Sequence, residues 1–294
     1  MNLLITGAWS EAPKHIQDIE ASGHRTAFLQ QEKDELPCMP NWVEGVICNG
    51  LFLYHPIESF TNLRYIQLTS AGFDRVPMDY IRDHGIEIHS ARGVYSIPMA
   101  EFAVAGVLSL YKELGQFRDQ QKERRWEKRR NLRELNGQTV LIVGCGSVGT
   151  ECAKRFKAFG CRVAGVDLIV REDDSYDKME PLEKLDESLN QADIIILTVP
   201  LTEQTRGLID ARRLGMIQGI LVNISRGAIV DQKALEAWDG MAVLDVFEEE
   251  PLPKDSPLWN KENYFISPHN SFIGQGNNER LKRIILQRLE EYTR

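Results

Sequence analysis

The stretch that most constrains what this chain can fold into is Thr139–Gly149, TVLIVGCGSVG. Aliphatic and β-branched side chains run straight into Gly144-Cys145-Gly146-Ser147-Val148-Gly149. Beyond them Val148, Cys152, Phe156 and Phe159 recur at helical spacing. Strand, then G-x-G-x-x-G, then helix is the context that a dinucleotide-binding fingerprint requires. Gly144 permits the tight turn, Gly146 lets backbone approach a pyrophosphate, and Gly149 lets the helix sit close to the strand with its first N–H groups aimed at the anion. A second strand, Arg162–Val166, ends in Asp167, eighteen residues past the last glycine. A carboxylate there holds the adenosine ribose hydroxyls and favours NAD over the 2′-phosphate of NADP. A bare G-x-G-x-x-G also fits an ordinary glycine-rich turn. The strand, the helix and Asp167 together favour the dinucleotide reading.

A chain of 294 residues suits two domains, and 43% hydrophobic with 27% charged residues is a globular composition. The net charge of −8 argues against nucleic acid or an anionic membrane as partner. Five cysteines without a C-x-x-C pair fit reduced thiols in the cytoplasm, and no metal site is expected. The opening MNLLITG reads at once as a strand without a basic leader. No window approaches the roughly 20 apolar residues of a membrane span, so a soluble cytoplasmic protein is expected.

Residues 1–99 read as a small α/β unit with strands at Leu3–Thr6, Thr26–Leu29, Gly45–Cys48, Tyr65–Leu68 and Ile86–His89, and helices at Pro13–Ser22 and Pro77–His84. The loops Cys48–Pro56 and Thr69–Asp74 follow strands, where parallel sheets bind ligands. The alternative is ordinary turn chemistry built on Gly50 and Gly72, which is favoured when the loops are taken alone. Ala91–Glu101 opens a long helix through Phe102, Ala105, Leu108 and Tyr111, a hinge into the second domain. The basic run Lys122–Arg133, with Trp126 inside it, reads as a solvated helix end at a subunit interface rather than a nucleic-acid patch. From Gly137 on, strands at 139–143, 162–166, 193–199, 220–224, 241–245 and Tyr264–Ser267 alternate with helices at 147–159, 181–190, 210–216 and 231–238, implying a doubly wound parallel sheet. The final segment, Ile273–Arg294, reads as helix.

Three clusters follow strands on the fingerprint's side of that sheet: Asn223-Ile224-Ser225-Arg226-Gly227, Asp245–Pro253 and Ser267-Pro268-His269-Asn270. A guanidinium offers a planar fork to a carboxylate, and an imidazole exchanges a proton near neutral pH. A glutamate on the other ring nitrogen would fix the tautomer and favour the protonated ring. Each alone has a bland explanation: a surface Arg, a solvated acidic turn, a structural His. Three such coincidences at successive strand ends, beside a dinucleotide fingerprint, point to chemistry.

The segments LNGQTVLIVGCGSVG, VPLTEQTRGLI, VNISRGAIVD, LDVFEEEPLP and SPH, in that order, resemble the D-isomer-specific 2-hydroxyacid dehydrogenase family over about residues 90–270; TSAGFD and IPMAE extend the likeness more loosely. The resemblance implies a Rossmann-type NAD domain, 100–269, inserted in a smaller flavodoxin-like substrate domain, 1–99 completed by 270–294, with catalysis in the cleft between domains. It implies hydride exchange between NAD and a 2-keto or D-2-hydroxy acid. Arg226 would bind the substrate carboxylate and carbonyl oxygen, His269 would be the general acid and base, and Glu250 would orient it. Gly144, Gly146, Ser147 and Val148 would lie at the pyrophosphate, Asp167 at the ribose, and Val199, Pro200 and Thr205 beside the adenosine. Ile224 and Ser225 join the cofactor-binding set, and Asp245 sits where the family holds the nicotinamide carboxamide. Backbone N–H groups of Ala71 and Gly72 would receive the substrate carboxylate. A homodimer is implied as well. Glu250 stands where formate dehydrogenases of the superfamily carry Gln, which disfavours formate. The loop Asn49–His55 lacks Lys and Arg, which disfavours a phosphorylated substrate, although Arg92 leaves that open. Asn270-Ser271-Phe272 departs from the small residue and glycine usual after the His. The alternative is an NAD(H)-sensing binding protein like the C-terminal-binding corepressors, which carry extra tails that this chain does not display.

Overall fold

Short apolar runs bounded by turn residues become the central parallel strands in both parts of the chain, where they are buried on two faces. The computed structural model describes residues 1–293, and the chain divides into two units: Met1–Tyr95 with the residues from Gly274 on, and Ser96–Ile273.

In the first unit the elements are β1 (Asn2–Thr6), α1 (Ile16–Ala21), β2 (Arg25–Leu29), β3 (Gly45–Cys48), β4 (Tyr65–Leu68), α2 (Met78–Asp83) and β5 (Glu87–His89). The strands are parallel in the order β2-β1-β3-β4-β5, the flavodoxin-like arrangement. Alternation along β1 sends Leu4 to one layer, with Val46, Ile66 and Ile81. Leu3 and Ile5 go to the other, with Ile47 and Tyr65.

The second unit holds α3 (Ser96–Tyr111), α4 (Leu114–Glu123), β6 (Thr139–Val143), α5 (Ser147–Ala158), β7 (Arg162–Asp167), β8 (Lys178–Pro181), α6 (Leu185–Leu189), β9 (Ile194–Leu197), α7 (Ala211–Leu214), β10 (Ile220–Asn223), α8 (Gln232–Ala237), β11 (Met241–Leu244) and β12 (Tyr264–Ile266). Its seven parallel strands run β12-β11-β10-β9-β6-β7-β8, so the order reverses between β6 and β9 in the doubly wound Rossmann manner. Every residue of β9 and β10 is buried, as central strands require. One face is covered by α3 and α5, the other by α6 to α8. The bare backbone of Gly106 seats α3 on β11, since a Cβ there would lie 2.5 Å from Val243 Cγ1. The last helix, α9 (Asn277–Thr293), belongs to the first unit and places Leu281, Ile285 and Leu289 in its core beside Leu3 and Ile5.

Several expected boundaries move. The segment read as helix 181–190 begins as the edge strand β8, passes through a 3₁₀ turn and is α-helical only at Leu185–Leu189. Helices expected at 210–216 and 231–238 start one residue later, because Asp210 and Asp231 are N-caps whose carboxylates accept the N–H of Arg213 at 2.8 Å and of Ala234 at 3.1 Å. The final helix begins at Asn277 rather than Ile273. The basic run leaves the helix at Arg124, whose φ of +56° ends α4, so most of Lys122–Arg133 is irregular rather than helical. Among the described residues no helix is long and apolar enough to cross a membrane.

Candidate active site

The fingerprint turn is built by the absence of side chains. Gly144 leaves β6 with φ +98°, a left-handed conformation that favours glycine, and a Cβ there would lie 2.7 Å from Val199 N. A Cβ on Gly149 would overlap the Gly144 carbonyl oxygen and lie 3.0 Å from Ile142 Cγ2. These two positions let the start of α5 and the end of β9 close on the same turn, which Thr198 Oγ1 braces by donating to Gly144 O. Gly146 caps α5 without a side chain over its N–H groups, and the first turn holds no acidic residue. The positive end of the helix is therefore presented to an anion over the side-chain-free backbone of Gly146.

Asp167 ends β7 with its carboxylate against this turn: Oδ2 accepts the Cys145 N–H at 2.6 Å and Oδ1 the Ile169 N–H at 3.2 Å. Sequence reasoning did not single out Arg171, whose Nη2 donates to Cys145 O at 2.5 Å. A cation and the Asp167 carboxylate thus flank the same peptide unit of the turn, the cation also lying 3.4 Å from Asp173 Oδ2. Cys145 is buried in the turn, and burial pushes its thiol up to about 12, which keeps it a neutral packing group. After β9, Val199 packs against Gly144. Thr205 closes the following loop, its Oγ1 donating to Pro200 O at 2.6 Å and accepting the Thr202 N–H at 2.8 Å.

The loops after β10, β11 and β12 leave the same edge of three adjacent strands. Asn223, buried at the end of β10, shapes the first loop: its Oδ1 accepts the Ser225 N–H at 3.1 Å and the Ser225 hydroxyl at 2.9 Å, while Nδ2 donates to Arg226 O at 3.0 Å. Ile224 and Ser225 are buried behind it. Arg226 is half-buried, with Nη1 donating to Ser225 O at 2.8 Å. Gly227 lacks the Cβ that would overlap the Phe247 carbonyl, so this loop runs directly against the one carrying Glu250. Glu250 Oε1 accepts the Phe247 N–H at 3.0 Å, and Oε2 meets His269 Nδ1 at 2.7 Å. Those two side chains are 35% and 40% exposed, open to solvent yet paired. The Phe272 ring stands edge-on to the imidazole, centroids 5.8 Å apart. Asp245 is fully buried and bonds to the His269 turn. Ala71 and Gly72 lie in the first unit, in the bend after β4, where Ser70 Oγ donates to Gly72 O at 3.0 Å. Sequence reasoning passed over the turn-building roles of Asn223, Gly227 and Ser267, although all three lie inside or beside the motifs it quoted.

Residues 104–271 match the family model for the D-isomer specific 2-hydroxyacid dehydrogenase, NAD binding domain. A glyoxylate reductase of Korarchaeum cryptofilum is 33% identical over 252 residues, covering 81% of this chain and 75% of its own. An (S)-sulfolactate dehydrogenase of Chromohalobacter salexigens is 32% identical over 237 residues, 78% of this chain and 77% of that protein. The crystal structure of a D-isomer specific 2-hydroxyacid dehydrogenase family protein from Aeromonas salmonicida superposes with a TM-score of 0.86 at 29% identity, covering 99% of this chain and 95% of the other. The chain belongs to the D-isomer specific 2-hydroxyacid dehydrogenase family. It is a nicotinamide-dinucleotide-dependent oxidoreductase of 2-keto and 2-hydroxy acids.

Proposed function

We propose that the protein reduces a 2-keto acid to the D-2-hydroxy acid with NADH, and catalyses the reverse, with His269 as the proton-carrying group. The observation that carries this reading is the 2.7 Å pairing of His269 Nδ1 with Glu250 Oε2. With Nδ1 held by the carboxylate, Nε2 is the ring nitrogen left to pass a proton to the oxygen of a ketone. In oxidation the same nitrogen takes the hydroxyl proton. Arg226, on the adjoining loop, supplies a fixed cationic fork. It binds the substrate carboxylate and opposes the negative charge that develops on the carbonyl oxygen.

The fingerprint turn suits a dinucleotide, with Gly144, Gly146, Ser147 and Val148 at the pyrophosphate, Asp167 at the ribose and Val199, Pro200 and Thr205 at the adenosine. When bound, the nicotinamide supplies or accepts the hydride. Asp167 supports NAD over NADP, because a 2′-phosphate would meet a carboxylate. The relatives named glyoxylate reductase make glyoxylate the first substrate to test. Trp126, 95% exposed beside a basic segment, supports a homodimer that covers it, to be checked by light scattering.

A screen of glyoxylate, pyruvate, hydroxypyruvate, branched-chain and aromatic 2-keto acids with NADH tests the activity. It also separates an enzyme from a dinucleotide sensor. His269→Ala is expected to lower turnover by roughly 10²–10⁴-fold while NADH still binds. Near-normal turnover in that variant would remove the imidazole from the mechanism.

A further inference from the structure

We propose that Asp245 is a positioning residue for His269: its buried carboxylate clamps the turn that carries the imidazole and so aims the ring at Glu250. This rests on the dehydrogenase reading above.

His269 has φ +51°, in the left-handed region. For a side chain other than glycine that conformation is disfavoured, because Cβ crowds the carbonyl oxygen. It persists only where the surroundings over-determine it, and such residues cluster at functional sites. Here the over-determination comes from one residue. The main-chain oxygen of Asp245 accepts the His269 N–H at 2.8 Å. Its Oδ1 accepts the Ser267 hydroxyl at 2.6 Å and the Asn270 N–H at 2.7 Å, and its Oδ2 accepts the Ser271 N–H at 2.9 Å. Between Ser267 and Ser271, only Pro268, which has no N–H, makes none of these bonds.

The carboxylate is fully buried, so an ionised group there is tolerable only through such donors. Three of its acceptor positions are spent on the turn, two of them on backbone N–H groups that cannot reorient. The family resemblance assigns Asp245 to the nicotinamide carboxamide. The hydrogen bonds assign its main effect to the imidazole, whose direction follows from the backbone angle they fix. An amide in place of the carboxylate offers one oxygen to donors arriving at two. At least one backbone N–H then loses its partner and the turn loosens.

The test is a double-mutant cycle with saturating keto acid and NADH, plus NADH affinity and stoichiometry from fluorescence titration. Asp245→Asn alone is expected to lower kcat about ten- to hundredfold, the scale of a displaced catalytic group. NADH should bind at full stoichiometry with its dissociation constant within about threefold of the wild type. In a His269→Ala background, where there is no imidazole to aim, Asp245→Asn should cost less than about threefold more. Losses that multiply in the double variant, or weakened NADH binding with kcat retained at saturation, would overturn the proposal. A His269→Ala enzyme that keeps its turnover would instead sink the dehydrogenase reading itself. Should Asp245→Asn not fold, Ser267→Ala carries the same cycle with one donor removed. A several-fold loss of kcat that disappears without His269 supports the clamp, and one that remains overturns it.

Discussion

Replacing Glu250 by Gln keeps the shape of the side chain and forces a choice between its two partners. The carboxylate serves the Phe247 N–H with one oxygen and His269 Nδ1 with the other, at 3.0 and 2.7 Å. Glutamine has one oxygen and one NH₂. If the oxygen stays with Phe247, the NH₂ faces Nδ1 in place of a carboxylate oxygen; if the amide flips, two N–H groups confront each other at the turn. Either way the imidazolium loses a hydrogen bond to a charged partner, worth about 1.5–3 kcal/mol. With the side chains 40% and 35% exposed, screening favours the lower end of that range. At about 1.4 kcal/mol per factor of ten, the loss in kcat/KM for keto-acid reduction near neutral pH should be about tenfold. An enzyme cannot alter the overall equilibrium, so oxidation must lose the same factor. The assay is initial-rate kinetics in both directions at neutral pH. A Gln variant within twofold of wild type at neutral pH would refute the pairing argument.

Asp167→Ser should shift preference toward NADPH by at least about tenfold, because it removes the carboxylate that a 2′-phosphate would meet while Arg171, shared between Cys145 O and Asp173, stays on the same turn. Dissociation constants for both dinucleotides measure it, and a wild type that uses NADPH as well as NADH would contradict the role given to Asp167. Gly149→Ala should destabilise the second unit by about 1–3 kcal/mol, since its Cβ would overlap the Gly144 carbonyl oxygen. An unchanged Tm with full NADH affinity would disprove that close approach. Hydrogen bonds from Arg212 and Arg213, both at 2.7 Å, hold the Asp186 carboxyl down at about 2 against an ordinary 3.8. Folding is therefore stabilised above about pH 4, and the contribution disappears as pH falls toward 2. With Asp186 39% exposed, it amounts to less than about 1 kcal/mol. Urea unfolding of Asp186→Asn at pH 7, 4 and 2.5 should show a deficit that vanishes at the lowest pH, and a constant deficit would mean the ion pairs do not titrate there.

What could be read from the sequence divides along a physical line. Strands buried on both faces, such as Gly45–Cys48, Tyr65–Leu68 and Thr139–Val143, were bounded correctly because burial writes itself as an uninterrupted apolar run. β8, with the sequence KMEP, pairs on one side only, with β7, and has no apolar run to betray it. KERRWEKRR looks helical by propensity, yet it has no apolar stripe to bury, and the chain abandons the helix at Arg124. The proposed reacting groups Arg226, Glu250 and His269 stood out in the sequence because their chemistry restricts residue type. Their supports did not. Asp245 stands twenty-four positions before His269, and nothing local relates the two. The register of β11 on β12, with Leu244 opposite Ile266, sets Asp245 beside Ser267 and within reach of the turn beyond it. That register follows from packing Ala242 and Leu244 into one layer of the sheet and Val243 into the other, a choice made by the whole second unit. A residue that acts on another through strand register becomes visible only once the sheet is assembled, even when both residues lie in plain view in the sequence.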